Sequence, residues 1–184
     1  MINWKMGIED KRTLRRAVRA SLAHIGEEEA RERSVPICKE LEKHIAVSGA
    51  TVVAMFSPLA DEPQIWPLVE QLARRLSVVL PRVEGDVMNF YSYDKDAMAA
   101  GAYGINEPQR GVPVQPYEID AIVVPGVAFT AKGMRMGRGK GFYDRYLTQS
   151  GFAALKIGVC YREQLVPDIP TEPHDVPMDA VIYK

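Results

Sequence analysis

The stretch that decides the fold runs from Ala121 to Leu147 and reads AIVVPGVAFTAKGMRMGRGKGFYDRYL. Its first four residues, 121–124, are all apolar, which predicts a short strand buried on both faces of a sheet. A glycine-rich loop follows, and the run Phe142-Tyr143-Asp144-Arg145 that closes it predicts the first turn of a helix. A strand that leads through a loop into a helix is the building block of an α/β sheet.

The rest of the chain repeats this alternation. Leu14, Val18, Leu22 and Ile25 recur at helical spacing and predict an amphipathic helix over residues 10–25. A second helix is expected over residues 27–46, disturbed near Pro36. Apolar or alternating runs predict strands at 51–56, 77–81, 87–93, 156–160 and 179–183, helices at 64–76 and 141–149, and irregular chain at 94–118. Strand 87–93 is expected nearer an edge. These elements predict one domain, 1–184, with a three-layer α/β/α architecture and a mostly parallel central sheet.

The bulk composition indicates an ordinary globular protein. The chain has 184 residues, 47% of them hydrophobic and 26% charged, and a formal net charge of −1. That charge favours neither nucleic acid nor a membrane surface as partner. Cys38 and Cys160 lie far apart and form no CxxC pair, so we expect buried thiols in a reducing compartment. Because no signal peptide or membrane span is recognisable, the expected location is the cytoplasm.

The glycine loop has the composition of a phosphate site. Gly133, Gly137, Gly139 and Gly141 alternate with Arg135, Arg138 and Lys140. Glycines allow a ligand to approach main-chain N–H groups, and a helix N-terminus with nearby cations favours phosphate. The loop is neither of the two common phosphate motifs, since a Walker A loop needs Ser or Thr at position 141 and a dinucleotide fingerprint needs glycine at 142. Tight turns alone are the alternative explanation of these glycines.

Carboxylates flank the predicted phosphate site. In open α/β sheets, ligands bind beyond the carboxyl ends of the strands, where the loops after Phe56, Val124 and Cys160 would meet. These loops hold Glu62, the glycine run and His174-Asp175. Asp144 beside the cations is what a magnesium ion bridging to phosphate requires, although an acidic residue also suits any helix N-terminus. Glu62 taken alone is more typical of a solvated loop residue.

The glycine loop and its flanking residues resemble a known family, 5-formyltetrahydrofolate cyclo-ligase, also called methenyltetrahydrofolate synthetase. Its signature reads Pro-x-x-Ala-Phe-Asp and then Arg-Leu-Gly-x-Gly-x-Gly-Tyr-Tyr-Asp, and this chain has Pro125, Ala128 and Phe129 and then the run 135–144. Similar matches are the run 11–15, Glu62, and a C-terminal set of Tyr161, Gln164, His174, Asp175 and Asp179. The chain departs from the pattern at Thr130, at Phe142 and at Pro63-Gln64.

The resemblance implies a reaction. The family converts 5-formyltetrahydrofolate to 5,10-methenyltetrahydrofolate, uses ATP, and releases ADP and phosphate. It implies ATP as co-substrate, Mg²⁺ as cofactor, and a fold similar to the NagB/RpiA/CoA-transferase-like fold. Small molecules would be the partners of a monomeric enzyme that binds neither nucleic acid nor membrane. His174 would orient Asp175.

The resemblance also implies a site, residue by residue. Arg138 and Lys140 are implied as catalytic, and Asp144 and Asp175 as magnesium ligands. Nucleotide contacts are implied for Lys11, Arg12, Thr13, Leu14, Arg15, Arg135, Met136, Gly137, Arg138, Gly139, Lys140, Gly141, Phe142 and Tyr143. Folate contacts are implied for Ser57, Glu62, Tyr103, Arg138, Gly139, Lys140, Gly141 and Phe142, with Glu62 accepting two hydrogen bonds from a pterin edge.

Two other functions fit parts of the sequence. A sugar-phosphate isomerase on a similar three-layer scaffold would need a phosphate site but no ATP. A non-catalytic nucleotide or nucleic-acid binder would use the basic helix over residues 11–19, but no aromatic residues interleave with its arginines. Coupling of ATP hydrolysis to loss of formyl-folate separates these possibilities.

Overall fold

The computed structural model describes residues 10–101 and 104–184. Its helices are α1 (Lys11–Leu22), α2 (Glu27–Ser48), α3 (Trp66–Leu72) and α4 (Phe142–Leu147). Its strands are β1 (Val52–Ala54), β2 (Ser77–Glu84), β3 (Val87–Ser92), β4 (Met98–Ala100), β5 (Asn106–Pro108), β6 (Ala121–Val124), β7 (Ala128–Phe129), β8 (Arg135–Met136), β9 (Leu155–Cys160) and β10 (Ala180–Tyr183). Short 3₁₀ turns lie at Lys95–Ala97, Pro116–Glu118 and Arg162–Gln164.

Six strands form the central sheet, in the order β10-β9-β6-β1-β2-β3. Every neighbouring pair is parallel except β2 and β3, which are antiparallel. Ala54 of β1 pairs with Val79 on one side and Ile122 on the other. The expected mostly parallel sheet, with strand 87–93 at an edge, is therefore confirmed. The apolar run at 121–124 forms β6, which lies between β9 and β1. All four of its residues are buried, as expected for a strand covered on both faces.

The two faces of the sheet carry separate cores. Side chains of successive strand residues point to opposite faces, so Val53 and Val123 face one core while Ala54 and Val124 face the other. The first core receives the apolar sides of α1, α2 and α3. The second receives α4 together with Phe90 of β3. Helices on both faces of one sheet give the three layers that the alternation of elements predicted.

Helix α2 differs from its expectation because Pro36 does not disturb it. The helix continues from Glu27 to Ser48 with Pro36 inside it. Proline removes one N–H donor from a helix, and this loss is tolerated where packing holds the flanking turns. Here Ile37, Leu41 and Ile45 are fully buried against the first core.

The other helices are shorter than predicted. Helix α3 begins at Trp66, with proline in its first turn, where the missing N–H donor is not needed. Helix α4 begins after Gly141, whose left-handed φ of 67° caps it, and spans six residues. Residues 94–118, expected to be irregular, contain the β4–β5 pair. In the described residues, no helix combines the length and apolar character needed to cross a lipid bilayer.

Candidate active site

A cleft of about 510 Å³ opens beyond the carboxyl ends of β1 and β6. The loop after β1, the glycine run and the segment before β10 all contribute to its wall, as expected for ligand sites in open sheets. The predicted residues that line it are Lys11, Arg15, Ser57, Glu62, Arg135, Met136, Gly137, Arg138, Gly139, Lys140, Gly141, Phe142, Tyr143, Asp144 and Asp175. These predicted residues come from four separate parts of the chain and meet at one place.

Three predicted residues of the described part of the chain, Arg12, Thr13 and Leu14, do not line this cleft. The Arg12 side chain is exposed, and the Thr13 hydroxyl donates to Asp10 Oδ2 at 2.8 Å, which belongs to the N-cap of α1. Leu14 has no exposed surface and packs in the first core. Tyr103 lies outside the described residues. Thr13 therefore serves the start of α1 and Leu14 its packing, whereas Lys11 and Arg15 face the cleft.

The glycine loop follows the β7–β8 hairpin and ends at α4. Gly139 and Gly141 have φ values of 98° and 67°, a region that other residues rarely occupy. These conformations turn the chain sharply between β8 and α4, and Gly139 lies against the Arg15 guanidinium, which would be 3.6 Å from an added Cβ. Arg15 Nε donates to the Gly137 carbonyl at 2.9 Å. Helix α1 thus supports the loop directly.

Arg138 reaches across the cleft to two neighbouring acids. Its Nε and Nη2 donate to Glu62 Oε1 at 3.0 and 2.8 Å. Its Nη1 donates to Asp61 Oδ2 at 3.2 Å, and Nη2 makes a further short contact with Asp61 Oδ1. One planar guanidinium therefore binds both carboxylates through its several N–H donors. The residue predicted for phosphate and the residue predicted for folate are in direct contact.

Glu62 is a buried carboxylate and not a solvated loop residue. Only 4% of it is exposed, and its Oε2 accepts the Leu59 backbone N–H at 3.0 Å. Burial raises the pKa of the Glu62 carboxyl, and the charge of Arg138 offsets part of that rise. A buried acid that faces a cavity and a cation is a typical feature of functional sites.

The start of α1 and the segment before β10 form a second charged group. Lys11 Nζ lies 2.7 Å from both Glu172 Oε2 and Asp175 Oδ2. Partial burial lowers the pKa of the Lys11 ammonium, but the contacts with Asp175 and Glu172 outweigh it, and the pKa is raised. Ligand atoms of Glu172, His174 and Asp175 lie within 4.8 Å of one another. His174 Nε2 lies 4.0 Å from Asp175 Oδ1 and 3.8 Å from Glu172 Oε2, beyond hydrogen-bond distance, so its orienting role toward Asp175 stays a prediction.

Arg135 and Asp144 form an ion pair at the floor of the cleft. Arg135 Nη2 lies 2.8 Å from Asp144 Oδ1, Nη1 donates to the Pro125 carbonyl at 3.3 Å, and only 4% of Arg135 is exposed. The guanidinium lies 5.6 Å from the centre of the Tyr143 ring. Buried guanidinium groups need such partners. Arg135 therefore holds Asp144, a role that the sequence did not predict.

Lys140 and Ser57 complete the polar wall. Within the described ranges the exposed Lys140 side chain makes no hydrogen bond or ion pair, so its ammonium is available to an anion. The buried Ser57 hydroxyl donates to the Asn106 carbonyl at 2.6 Å. Sequence reasoning missed Asp61, Glu172 and the apolar wall of Phe56, Leu59, Val83 and Met88. No local pattern identifies them, because each gains its importance from partners distant in sequence.

The chain matches known proteins over almost its whole length. Residues 7–184 match the model of the 5-formyltetrahydrofolate cyclo-ligase family. A 5-formyltetrahydrofolate cyclo-ligase of Mycolicibacterium smegmatis is 34% identical over 147 residues, 75% of each chain, and that of Mus musculus is 24% identical over 189 residues, 95% and 93% of the chains. Among solved structures, 5,10-methenyltetrahydrofolate synthetase from Aquifex aeolicus superposes with a TM-score of 0.83 at 34% identity, covering 94% of this chain and 88% of the other. The synthetase from Mycoplasma pneumoniae gives 0.77 at 25% identity, covering 94% and 98%.

Proposed function

The chain belongs to the 5-formyltetrahydrofolate cyclo-ligase family, and we propose that it converts 5-formyltetrahydrofolate to 5,10-methenyltetrahydrofolate with ATP and Mg²⁺. The products would be the methenyl-folate, ADP and phosphate. One observation carries the proposal: the cleft joins a cationic glycine loop to a buried glutamate through Arg138. If the loop binds phosphate and Glu62 binds the pterin, this contact would put the two substrates side by side, as a reaction between ATP and a folate requires.

The chemistry explains the need for ATP. The formyl oxygen lies on an amide-like carbon and is a poor leaving group. Transfer of the γ-phosphoryl group to that oxygen breaks the bond to ADP and forms a phosphate ester. N10 then attacks the carbon and loses its proton, the carbon–oxygen bond breaks, and phosphate departs with the oxygen. The protein's task is positioning and charge stabilisation.

The glycine loop and α1 would bind the triphosphate. Lys140 has no competing ion pair in the described residues, and Arg138 and Arg15 extend the positive wall. Backbone N–H groups of residues 139–143 precede or begin α4 and can donate to phosphate oxygens. Each preorganised donor to the transferring phosphoryl group is expected to contribute roughly 10²–10³ in rate.

The acidic side chains of the cleft fit a magnesium ion. Asp144 and Asp175 both line the cleft, and Mg²⁺ prefers carboxylate oxygens together with phosphate oxygens and water. Glu172 and His174 form a group with Asp175 whose ligand atoms lie within 4.8 Å of one another, and Asp144 is not in that group. When bound, the ion would neutralise phosphate charge. Lys11 lies between Glu172 and Asp175, so its ammonium balances those two carboxylates when no ligand is bound.

The opposite wall would bind the folate. Glu62 can accept two hydrogen bonds from the aminopyrimidinone edge of a pterin. The apolar side chains of Phe56, Val83 and Met88 line the same cleft and would cover a flat ring. Ser57 lies beside them, and a contact with Tyr103 stays a prediction.

One assay tests the proposed function. The purified protein is mixed with 5-formyltetrahydrofolate and MgATP, and the absorbance of the methenyl product is followed together with ADP release. We expect product and ADP in equal amounts. ADP without methenyl product, or no turnover at all, would overturn the proposal. Omission of ATP provides the control, since an isomerase on the same scaffold would need none.

A further inference from the structure

A buried hydrogen-bond network joins the Glu62 loop to Ser34 and Tyr161, two residues that do not line the cleft. Its centre is the hydroxyl of Tyr161, a residue that is 1% exposed and does not line the cleft. That hydroxyl lies 3.1 Å from the Glu62 carbonyl, 3.2 Å from Ser34 Oγ and 3.3 Å from the Ala30 carbonyl. We propose that Tyr161 is a positioning residue for folate binding, acting through the backbone of Glu62. The inference rests on the proposed function for its choice of substrate.

The neighbouring hydrogen bonds determine which acceptor receives the hydroxyl proton of Tyr161. Ser34 Oγ donates its own proton to the Ala30 carbonyl at 2.6 Å and accepts the Gln64 backbone N–H at 2.7 Å. Among the three neighbours of the Tyr161 hydroxyl, the Glu62 carbonyl is the nearest acceptor. Tyr161 therefore donates to Glu62.

The Glu62 carbonyl is held from two directions. Gln64 Nε2 donates to it at 2.7 Å and to the Leu59 carbonyl at 2.9 Å. The Glu62 backbone N–H also donates to the Leu59 carbonyl, at 3.1 Å. This makes residues 59–64 a closed turn whose backbone is bonded to Tyr161 and Ser34, while Arg138 binds the Asp61 and Glu62 side chains. These residues belong to no helix or strand, so such bonds help to set the position of the turn.

Tyr161 is itself fixed to the rest of the site. Its backbone N–H donates to Gln164 Oε1 at 2.8 Å, and Gln164 Nε2 donates to the Gly126 carbonyl at 2.8 Å. Gly126 lines the cleft just after β6. The network therefore ties the loop after β1 to the loops after β6 and β9. Those are the three loops that carry the site.

Loss of the Tyr161 hydroxyl is expected to weaken folate binding and to leave ATP binding nearly unchanged. Loss of the Tyr161 hydroxyl would leave the Glu62 backbone with one fewer restraint, while Lys11, Arg15 and Lys140 stay in place. Small displacements of a positioned group reduce binding and rate. A buried hydrogen bond of this kind corresponds to about a tenfold change in an equilibrium constant.

The test compares Tyr161→Phe with Tyr146→Phe. Tyr146 is also 1% exposed, but in the described part of the chain its hydroxyl has no hydrogen-bond partner, so it is a matched control. We expect Tyr161→Phe to raise KM for 5-formyltetrahydrofolate about tenfold and to leave KM for ATP within about twofold. Tyr146→Phe should change neither. Equal changes in both KM values, or an unchanged folate KM, would overturn the inference.

Two further measurements separate this inference from the proposed function. Amide hydrogen exchange of residues 57–64 should be faster in Tyr161→Phe than in the wild type and unchanged in Tyr146→Phe, whether or not the protein turns over folate. Unchanged exchange would refute the positioning role. If the wild type lacks turnover while this exchange difference is present, the proposed function fails. The positioning of the loop by Tyr161 is then supported all the same.

A double-mutant cycle with Glu62→Gln tests the route of the effect. If Tyr161 acts through Glu62, Tyr161→Phe should add little to the folate KM of Glu62→Gln, because the two changes disable one contact. Independent, additive changes would show that Tyr161 acts by another route and would overturn the assignment.

Discussion

Arg138 and Glu62 form an ion pair across the cleft, with Arg138 Nε and Nη2 at 3.0 and 2.8 Å from a single oxygen, Glu62 Oε1. The other edge of the same guanidinium faces Asp61. A phosphate bound by Arg138 would compete with these carboxylates for its donors. The two halves of the site are therefore electrostatically coupled, and changes at Arg138 should affect both substrates.

Replacement of Arg138 by lysine should show this coupling. Lysine keeps the charge but cannot present a planar set of donors to two carboxylates and a phosphate. We expect kcat/KM to fall about 100-fold, with KM rising for both ATP and the folate. Lys140→Gln serves as the comparison and should raise KM for ATP alone. The coupling is refuted if Arg138→Lys leaves the folate KM unchanged.

The pH dependence of folate use should respond to Asp61. Burial raises the pKa of Glu62, Arg138 lowers it, and the negative charge of Asp61 raises it. The ionised form of Glu62 is the acceptor, so kcat/KM for the folate should fall as pH drops through that pKa. Asp61→Asn removes a negative charge, which lowers the pKa of Glu62 and moves this acid limb to lower pH. A pH–rate profile checks the direction, and a shift toward higher pH would contradict it.

Asp144 should control the magnesium requirement. Asp144→Asn and Asp175→Asn are each expected to raise the Mg²⁺ concentration for half-maximal turnover by about 10-fold or more, because a neutral amide is a weaker ligand than a carboxylate. Titration of Mg²⁺ at fixed ATP measures this. Asp144 also partners the buried Arg135, so thermal unfolding must first establish that the variant is folded. Unchanged Mg²⁺ dependence in both folded variants would remove these residues from the metal site.

Leu14 and Arg15 are adjacent in sequence and should behave differently. Leu14→Ala creates a cavity in the first core and should lower the free energy of unfolding by about 2–4 kcal/mol, with KM for ATP unchanged. Arg15→Met should leave stability nearly unchanged and raise KM for ATP. Denaturant unfolding and steady-state kinetics measure both. A raised ATP KM in a folded Leu14→Ala protein would restore Leu14 to the nucleotide site.

Asp120 should stabilise the sheet in a pH-dependent manner. Its Oδ2 accepts the backbone N–H groups of Thr51 and Val52, each at 2.8 Å, and these bonds lower the pKa of the carboxyl. Because the folded pKa is depressed, the stabilisation is present above the ordinary pKa of an aspartate carboxyl and is lost as pH falls through the folded pKa. Asp120→Ala should cost about 1 kcal/mol at neutral pH, a modest value because the group is exposed to solvent. The cost should vanish in strong acid, and a constant cost would contradict the assignment.

Much of the architecture could be predicted because it is encoded locally. The apolar run at 121–124 has the bounds of β6, and the spacing of Leu14, Val18 and Leu22 gives the buried side of α1. The family resemblance, carried by the glycine run and by Glu62, is confirmed by the match over residues 7–184. Side-chain periodicity and glycine spacing survive in a linear sequence, so these features needed no tertiary information.

The sequence by itself determined the type of sheet, the glycine loop and the residue types of the candidate site. Only the tertiary structure decided their partners: Asp61 with Arg138, Arg135 with Asp144, Lys11 with Glu172, and Tyr161 with Glu62. Three of these pairs join residues 77 to 161 positions apart. The physical reason is that such contacts depend on strand order, which brings distant loops to one edge of the sheet, and strand order leaves no local pattern in the chain.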